Sequence, residues 1–139
     1  MTMQTRELFD SLTPRSDHLD NETVARAVDA LLECEQASAV CARGMLAHEA
    51  AGELEAAINR DLDCADVAAA TRRVLARGSD PEPAVLTAQL EACVLACERS
   101  FQACNQHARN HAHCRICSEV TAQAGAACQQ AIEALRKAS

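Results

Sequence analysis

The fold is decided by residues 90–135, which read LEACVLACERSFQACNQHARNHAHCRICSEVTAQAGAACQQAIEAL. Small and apolar residues recur here at steps of three and four. That spacing places side chains on one face of a helix, and a sustained repeat is typical of the seam between packed helices. Two such stripes occur in this stretch: Leu90, Cys93, Cys97, Ser100, Cys104, His107 and His111, then Cys114, Cys117, Thr121, Ala124, Cys128, Ala131 and Leu135.

The first half of the chain repeats the pattern. Its two stripes are Ala27, Leu31, Cys34, Ser38, Cys41, Met45 and His48, then Leu54, Ala57, Asp61, Cys64, Ala68, Thr71 and Leu75. All nine cysteines of the protein fall on these four stripes. One or two buried cysteines are ordinary core residues, but nine on four inward stripes indicate a shared chemical role.

Four helices are predicted, over residues 21–48, 52–76, 83–110 and 113–137, the first with Asn21 as its N-cap. The segment GSDPEP, residues 78–83, is the clearest break and separates two helical hairpins. Short connections favour an up-down-up-down four-helix bundle, so the predicted fold is all-α. Residues 1–20 form a short N-terminal lead segment, with a short helix over residues 4–12 that ends at Thr13-Pro14, and residues 21–139 form the bundle.

Composition narrows the class of protein. The chain has 139 residues, enough for one domain, and its only aromatic residues are Phe9 and Phe101. The net charge of −7 argues against binding to nucleic acid or to anionic membranes. The N-terminus has no apolar segment of a secretory signal, and no stretch has the length of a membrane span. An odd number of cysteines argues against a disulfide framework, so we expect a cytoplasmic protein with reduced thiols.

Counting residues from the turns near Ala50 and Ala112 divides the cysteines by depth. A lower set of five contains Cys34, Cys64, Cys93, Cys97 and Cys128, and an upper set of four contains Cys41, Cys104, Cys114 and Cys117. At the rise of an α-helix the two sets are roughly 10 Å apart. The prediction is two local metal sites. Asp61 lies on a stripe between them, and no role for it follows from the sequence alone.

Thiolates are soft donors that suit Cu(I), iron–sulfur clusters and Zn(II), and Cu(I) is the leading hypothesis. The alternative is an electron-transfer or redox protein with one or two [4Fe–4S] clusters, since each set has at least four cysteines. A structural zinc site is a third interpretation. We expect accessory metal ligands near the upper end of the bundle: Met45, His48, His107 and His111. Without a role in metal binding, Met45 would be an ordinary core residue and the histidines would be polar residues at helix ends.

These residues resemble a known family. The segments CEQASAVC (34–41), DCADVAAATRRVL (63–75) and HARNHAHCRIC (107–117) are similar to those of the cysteine-rich four-helix-bundle copper storage proteins. The resemblance spans about residues 24–135 and implies a cytosolic, non-enzymatic homotetramer that stores Cu(I) on core thiolates. It also implies that all nine cysteines stand at copper-binding positions.

The chain departs from the family in having fewer cysteines. Other residues stand where the family leads us to expect cysteine, mainly in the middle of the bundle: Ser38, Met45, Ala57, Ala68, Ser100, Thr121 and Ala124. The expectation is therefore a protein that binds soft metal ions with a smaller capacity than its relatives.

Overall fold

The computed structural model describes residues 3–12, 19–48, 51–77 and 82–138. Within these ranges the chain is helical and has no strand. The elements are α1 (Met3–Asp10), α2 (Asn21–Leu46), a 3-10 turn (Ala51–Leu54), α3 (Glu55–Arg77), α4 (Pro83–Asn105) and α5 (Ala112–Ala138). The predicted all-α fold is confirmed. The expected helix stop at Thr13-Pro14, the turn at Ala50 and most of the 78–83 break lie outside the described residues.

Helices α2 to α5 form the bundle. Each of them packs against two others, in the order α2, α3, α4, α5 and back to α2. Helix α1 lies against α2, where Thr5 Oγ1 donates a 2.8 Å hydrogen bond to Asp29 Oδ1, and Phe9 joins the bundle core. The division into residues 1–20 and 21–139 stays a prediction.

Two predicted helix ends are wrong. The N-cap of α2 is Asp20, not Asn21: the backbone of Asp20 is extended, and its Oδ1 accepts a 2.7 Å hydrogen bond from Thr23 N. Helix α4 ends at Asn105 and does not continue to residue 110. After Asn105 the chain forms separate turns, such as that closed by His107 N donating to Cys104 O at 2.9 Å. Residues 106–110 are exposed or only half-buried, so burial does little to prolong the helix.

The core is built from aliphatic and small side chains. Leu31, Leu75, Leu86 and Leu90 are fully buried and surround the lower part of the bundle. Met45 is fully buried in the upper part, together with Leu54 and Ile58. With so few large residues, helix axes can approach closely, and cysteine fills much of the interior.

We predict that Leu90→Ala lowers the free energy of unfolding by about 2–5 kcal/mol, because a fully buried leucine leaves a cavity when it is truncated. Leu95→Ala is the matched control on the same helix, since Leu95 is 51% exposed, and it should change stability by no more than about 0.5 kcal/mol. Chemical denaturation of the reduced protein measures both values. Equal losses in the two variants would contradict the assignment of the inward face of α4.

Candidate metal centre

All nine cysteines are free and buried, with exposed fractions of 0–2%. The core divides into two groups of packed residues, and the cysteines divide with it. The lower cluster contains five of them: Cys34, Cys64, Cys93, Cys97 and Cys128. The upper cluster contains four: Cys41, Cys104, Cys114 and Cys117. The structure therefore groups the thiols as the depth count predicts.

In the lower cluster, three sulfurs from three helices meet. Cys34 Sγ lies 3.5 Å from Cys64 Sγ, which in turn lies 3.9 Å from Cys97 Sγ. All three sulfurs lie within 4.8 Å of one another, close enough to bind one ion. Cys93 and Cys128 are packed in the same part of the core, so five thiols from α2, α3, α4 and α5 surround this position.

In the upper cluster, a carboxylate joins the thiols. Asp61 Oδ1 accepts hydrogen bonds from Cys104 Sγ at 3.1 Å and from Cys117 Sγ at 3.6 Å. Cys41 completes this group of potential ligands, and its sulfur also lies 3.7 Å from Cys114 Sγ. Helix α3 has no cysteine in the upper cluster, and Asp61 is the residue that it contributes instead.

A belt of polar side chains separates the two clusters. This polar belt consists of Ser38, Asp61, Ser100 and Thr121, all fully buried. Ser38 Oγ lies 3.9 Å from Cys34 Sγ below and 3.8 Å from Cys117 Sγ above. Ser38 thus contacts a thiol of each cluster, and at this point the two clusters are closer than the roughly 10 Å expected from helical rise.

Hydrogen bonding among the thiols favours thiolates at Cys64 and Cys93 in the lower cluster and at Cys117 in the upper cluster. The pKa of Cys64 is lowered because hydrogen bonding with Cys34 and Cys97 stabilises its thiolate, and the pKa of each of these two neighbours is raised. Likewise, hydrogen bonding with Cys104 lowers the pKa of Cys117. Most of the buried thiols therefore keep their protons until a cation replaces them.

Four histidines gather at the upper end of the bundle. The ring centroid of His111 lies 4.7 Å from that of His48, 6.3 Å from that of His107 and 5.4 Å from that of His113. The pKa of His111 is lowered, first by desolvation and then by the neighbouring imidazoles. Three of these rings are the predicted accessory ligands; they surround the end of the bundle rather than entering the thiol clusters. Met45 lies deeper, in the core of the upper cluster.

The sequence interpretation missed His113 as a site residue. Its Nδ1 lies 3.3 Å from Cys41 Sγ and 3.6 Å from Cys114 Sγ, so imidazole and two thiols form a third group of potential ligands. The sequence pattern extends the inward stripe of α4 through His107 and His111. The imidazole that contacts the thiols is instead that of His113, in the first turn of α5. The signal in the sequence that could have indicated His113 is its position next to Cys114 and close to Cys117, both of which were predicted ligands.

Gly44 makes room for this imidazole. A Cβ atom placed on Gly44 would lie 3.1 Å from both Cδ2 and Nε2 of His113, closer than ordinary contact. Any side chain at this position of α2 would require the His113 ring to move by a few tenths of an ångström. Gly44 therefore leaves the space in which the His113 ring lies beside Cys41.

These features define a class: metal-binding four-helix bundles with a thiol-lined core. The chain belongs to the copper storage protein family, whose model matches residues 20–133.

Solved structures give the same assignment. The copper storage protein Ccsp from Streptomyces lividans, loaded with 10 copper equivalents, is 33% identical, with a TM-score of 0.89 over 93% of this chain and 98% of that one. The structure of the cytosolic copper storage protein from the same organism with five coppers is 37% identical, with a TM-score of 0.79 over 81% of this chain and 93% of that one. A histidine-to-alanine variant of Ccsp is 36% identical, with a TM-score of 0.83 over 85% and 98% of the two chains.

No curated protein matches the chain significantly. The family match and the copper-loaded relatives support copper as the metal, and they lend no support to the iron–sulfur alternative. In the described part of the chain, no helix has both the length and the apolar character needed to cross a membrane.

The buried carboxylate generates a prediction on pH. Burial and, to a smaller extent, the charge of nearby Cys117 raise the pKa of Asp61 from 3.8 to about 7, against the hydrogen bonds that lower it. A carboxyl group whose pKa is higher in the folded state stabilises the fold fully below its unfolded pKa, and this stability is lost as pH rises through its folded pKa. Between pH 4 and pH 8, metal-free protein should therefore lose stability relative to Asp61→Asn by an amount on the order of a few kcal/mol.

Chemical denaturation of reduced, metal-free protein across this pH range measures the difference. Asp66→Asn is the matched control, because Asp66 is an exposed residue on the same helix. Its stability difference from the wild type should not vary with pH in this way. If the difference for Asp61→Asn were also constant, Asp61 would be ionised in the folded protein throughout the range.

Proposed function

We propose that this chain is a cytoplasmic, non-enzymatic protein that stores or sequesters Cu(I) on the thiolates of its core cysteines. The observation that carries the proposal is the convergence of nine free, buried cysteines in two clusters, with sulfurs as close as 3.5 Å. The family to which the chain belongs and the copper-loaded structures of its relatives support copper as the stored ion.

The chemistry of the interior agrees with a soft monovalent ion. Thiolate sulfur is a preferred ligand of Cu(I). Each Cu(I) that displaces a thiol proton leaves the charge of the core unchanged, so ions can accumulate without a build-up of buried charge. Neighbouring sulfurs 3.5–3.9 Å apart are placed to share ions within a cluster. All nine cysteines are proposed as metal ligands, in the two groups that the core defines.

The polar belt limits storage to two separate clusters. Hydroxyl groups are harder donors than thiolates and are poor ligands for Cu(I). Ser38, Ser100 and Thr121 occupy middle positions where the family resemblance leads us to expect cysteine. The proposal is accordingly a smaller copper capacity than that of a bundle with thiols along its whole length.

The upper end of the bundle is proposed as the route by which copper enters and leaves. His48, His107 and His111 lie at this end, and His113 contacts the first buried thiols. Met45 is buried among the thiols of the upper cluster and supplies a thioether. Imidazole and thioether groups bind Cu(I) more weakly than thiolates do, which suits ligands that pass an ion on.

Localisation and assembly are also proposals. A relative described as a cytosolic copper storage protein supports a cytoplasmic location, as do nine reduced thiols. A homotetramer is proposed from the family resemblance alone. We propose no partner other than metal ions and further copies of the chain.

Anaerobic titration of the reduced protein with Cu(I), in competition with a chelator, tests the storage function. We expect tight uptake of several ions per chain. The triple variants Cys34→Ser/Cys64→Ser/Cys97→Ser and Cys41→Ser/Cys104→Ser/Cys117→Ser serve as controls for each other: each should lose the ions of one cluster and keep those of the other. No tight uptake, or uptake unchanged in both variants, would refute storage on core thiolates, and brown protein containing iron and sulfide would favour the iron–sulfur alternative.

We predict that the variant His48→Ala/His107→Ala/His111→Ala takes up copper more slowly from a chelated donor but reaches the same final amount, because these rings lie outside the thiol clusters. Stopped-flow mixing measures the rate, and the equilibrium titration measures the amount. Asn110→Ala, in the same segment, is the control. A reduced final amount with an unchanged rate would make these histidines storage ligands instead.

A further inference from the structure

Asp61 is the one acidic residue on the four inward stripes, and its surroundings are unusual for a carboxylate. It is fully buried, and so are the three cysteines around it, Cys41, Cys104 and Cys117. The four potential ligand atoms lie within 4.8 Å of one another. A charged group is rarely buried in a bundle core unless it is paired or binds a metal ion.

The two oxygens of Asp61 have different environments. Oδ1 accepts a 2.9 Å hydrogen bond from Ser100 Oγ in addition to those from two thiols. Oδ2 is buried and has no hydrogen-bond partner among the described residues. Leaving a carboxylate oxygen buried without a partner costs free energy, so a ligand that binds this oxygen would remove a penalty present in the metal-free protein.

The spacing of the group matches a tetrahedral ion. Zinc binds cysteine sulfur at about 2.3 Å and carboxylate oxygen at about 2.0–2.2 Å, so sulfur and oxygen on the same tetrahedral ion lie roughly 3.5 Å apart. The two distances from Asp61 Oδ1 to the sulfurs of Cys104 and Cys117 are 3.1 Å and 3.6 Å. These two pairs of atoms already have about the separation that a shared ion requires, and all four potential ligand atoms lie within 4.8 Å of one another.

Charge and donor type distinguish this group from the other thiols. Three thiolates and a carboxylate would carry four negative charges, of which a single divalent cation offsets two and a single Cu(I) offsets one. A carboxylate oxygen is also a harder donor than sulfur, and it favours Zn(II) over Cu(I). The trio Cys34, Cys64 and Cys97 has no such oxygen, and the group at His113 has only two thiols.

We propose that Cys41, Asp61, Cys104 and Cys117 form a site for one divalent cation of the Zn(II) type. Ser100 is a positioning residue, because its hydroxyl group holds Oδ1 and orients the carboxylate. The site uses thiols of the upper cluster and so deepens the proposed storage function: the upper cluster accepts two kinds of metal ion, whereas the lower cluster is suited to Cu(I).

Titration of reduced, full-length protein with Zn(II) against a competing chelator tests this site, and Co(II) serves as a spectroscopic probe of tetrahedral thiolate coordination. We expect one tight zinc ion per chain. Asp61→Asn keeps the size of the side chain and should weaken zinc binding by at least about tenfold, the loss seen when even an outer partner of a metal ligand is removed. The matched control Asp66→Asn, on the same helix, should bind zinc as the wild type does. Thermal unfolding of each variant establishes that it is folded.

Several results would overturn the site: no tight zinc, equal affinity in Asp61→Asn, or loss of zinc in Cys64→Ser but not in Cys117→Ser. A Co(II) spectrum that is the same in the wild type and in Asp61→Asn would also exclude the carboxylate as a ligand. A parallel Cu(I) titration of the same preparations separates this inference from the storage function. Normal copper uptake without zinc binding would refute the zinc site alone, and failure of both titrations would refute the storage function as well.

Discussion

Most of the thiols buried in this bundle keep their protons until a cation takes the proton's place, and the interior depends on that exchange. Nine thiols occupy positions that aliphatic side chains would fill in an ordinary helical bundle. While protonated, they act as small apolar side chains and allow the metal-free protein to fold around its leucines. Once deprotonated, they form an anionic interior that only bound metal ions can neutralise. The same residues therefore serve as core and as binding site, and folding does not have to wait for the metal.

The polar belt gives this chain its particular character. Ser38, Ser100 and Thr121 interrupt the line of sulfurs, and Asp61 adds a charge where the bundle is best shielded from water. The hydroxyl groups of Ser38 and Ser100 bind the thiols and the carboxylate directly, so the interruption is an ordered hydrogen-bonded layer. Two small clusters with different donor sets follow from it. A bundle lined with thiols throughout would offer ions one kind of environment, whereas this one offers an all-sulfur environment and a mixed one.

Much of the fold could be predicted from the sequence, because the three- and four-residue repeat is preserved along all four bundle helices. The same repeat predicts the two groups of cysteines, since depth along a helix is set by residue number. Helix ends were less predictable: the end of α4 at Asn105 depends on where packing stops, which a periodic pattern does not show. His113 was missed for another reason: it lies one residue before the predicted stripe of α5, which begins at Cys114, so the periodic pattern did not indicate that its ring contacts Cys41. The role of Asp61 was missed because its partners Cys104 and Cys117 come from other helices.

The contact between Gly44 and His113 has an evolutionary consequence. Glycine inside a helix is less favourable than alanine by roughly 1 kcal/mol, so a change of Gly44 to alanine would by itself stabilise helix α2. The same change would force the imidazole of His113, whose Nδ1 lies 3.3 Å from Cys41 Sγ, to move by a few tenths of an ångström. Selection for a firmer helix and selection for metal chemistry thus act in opposite directions at this residue.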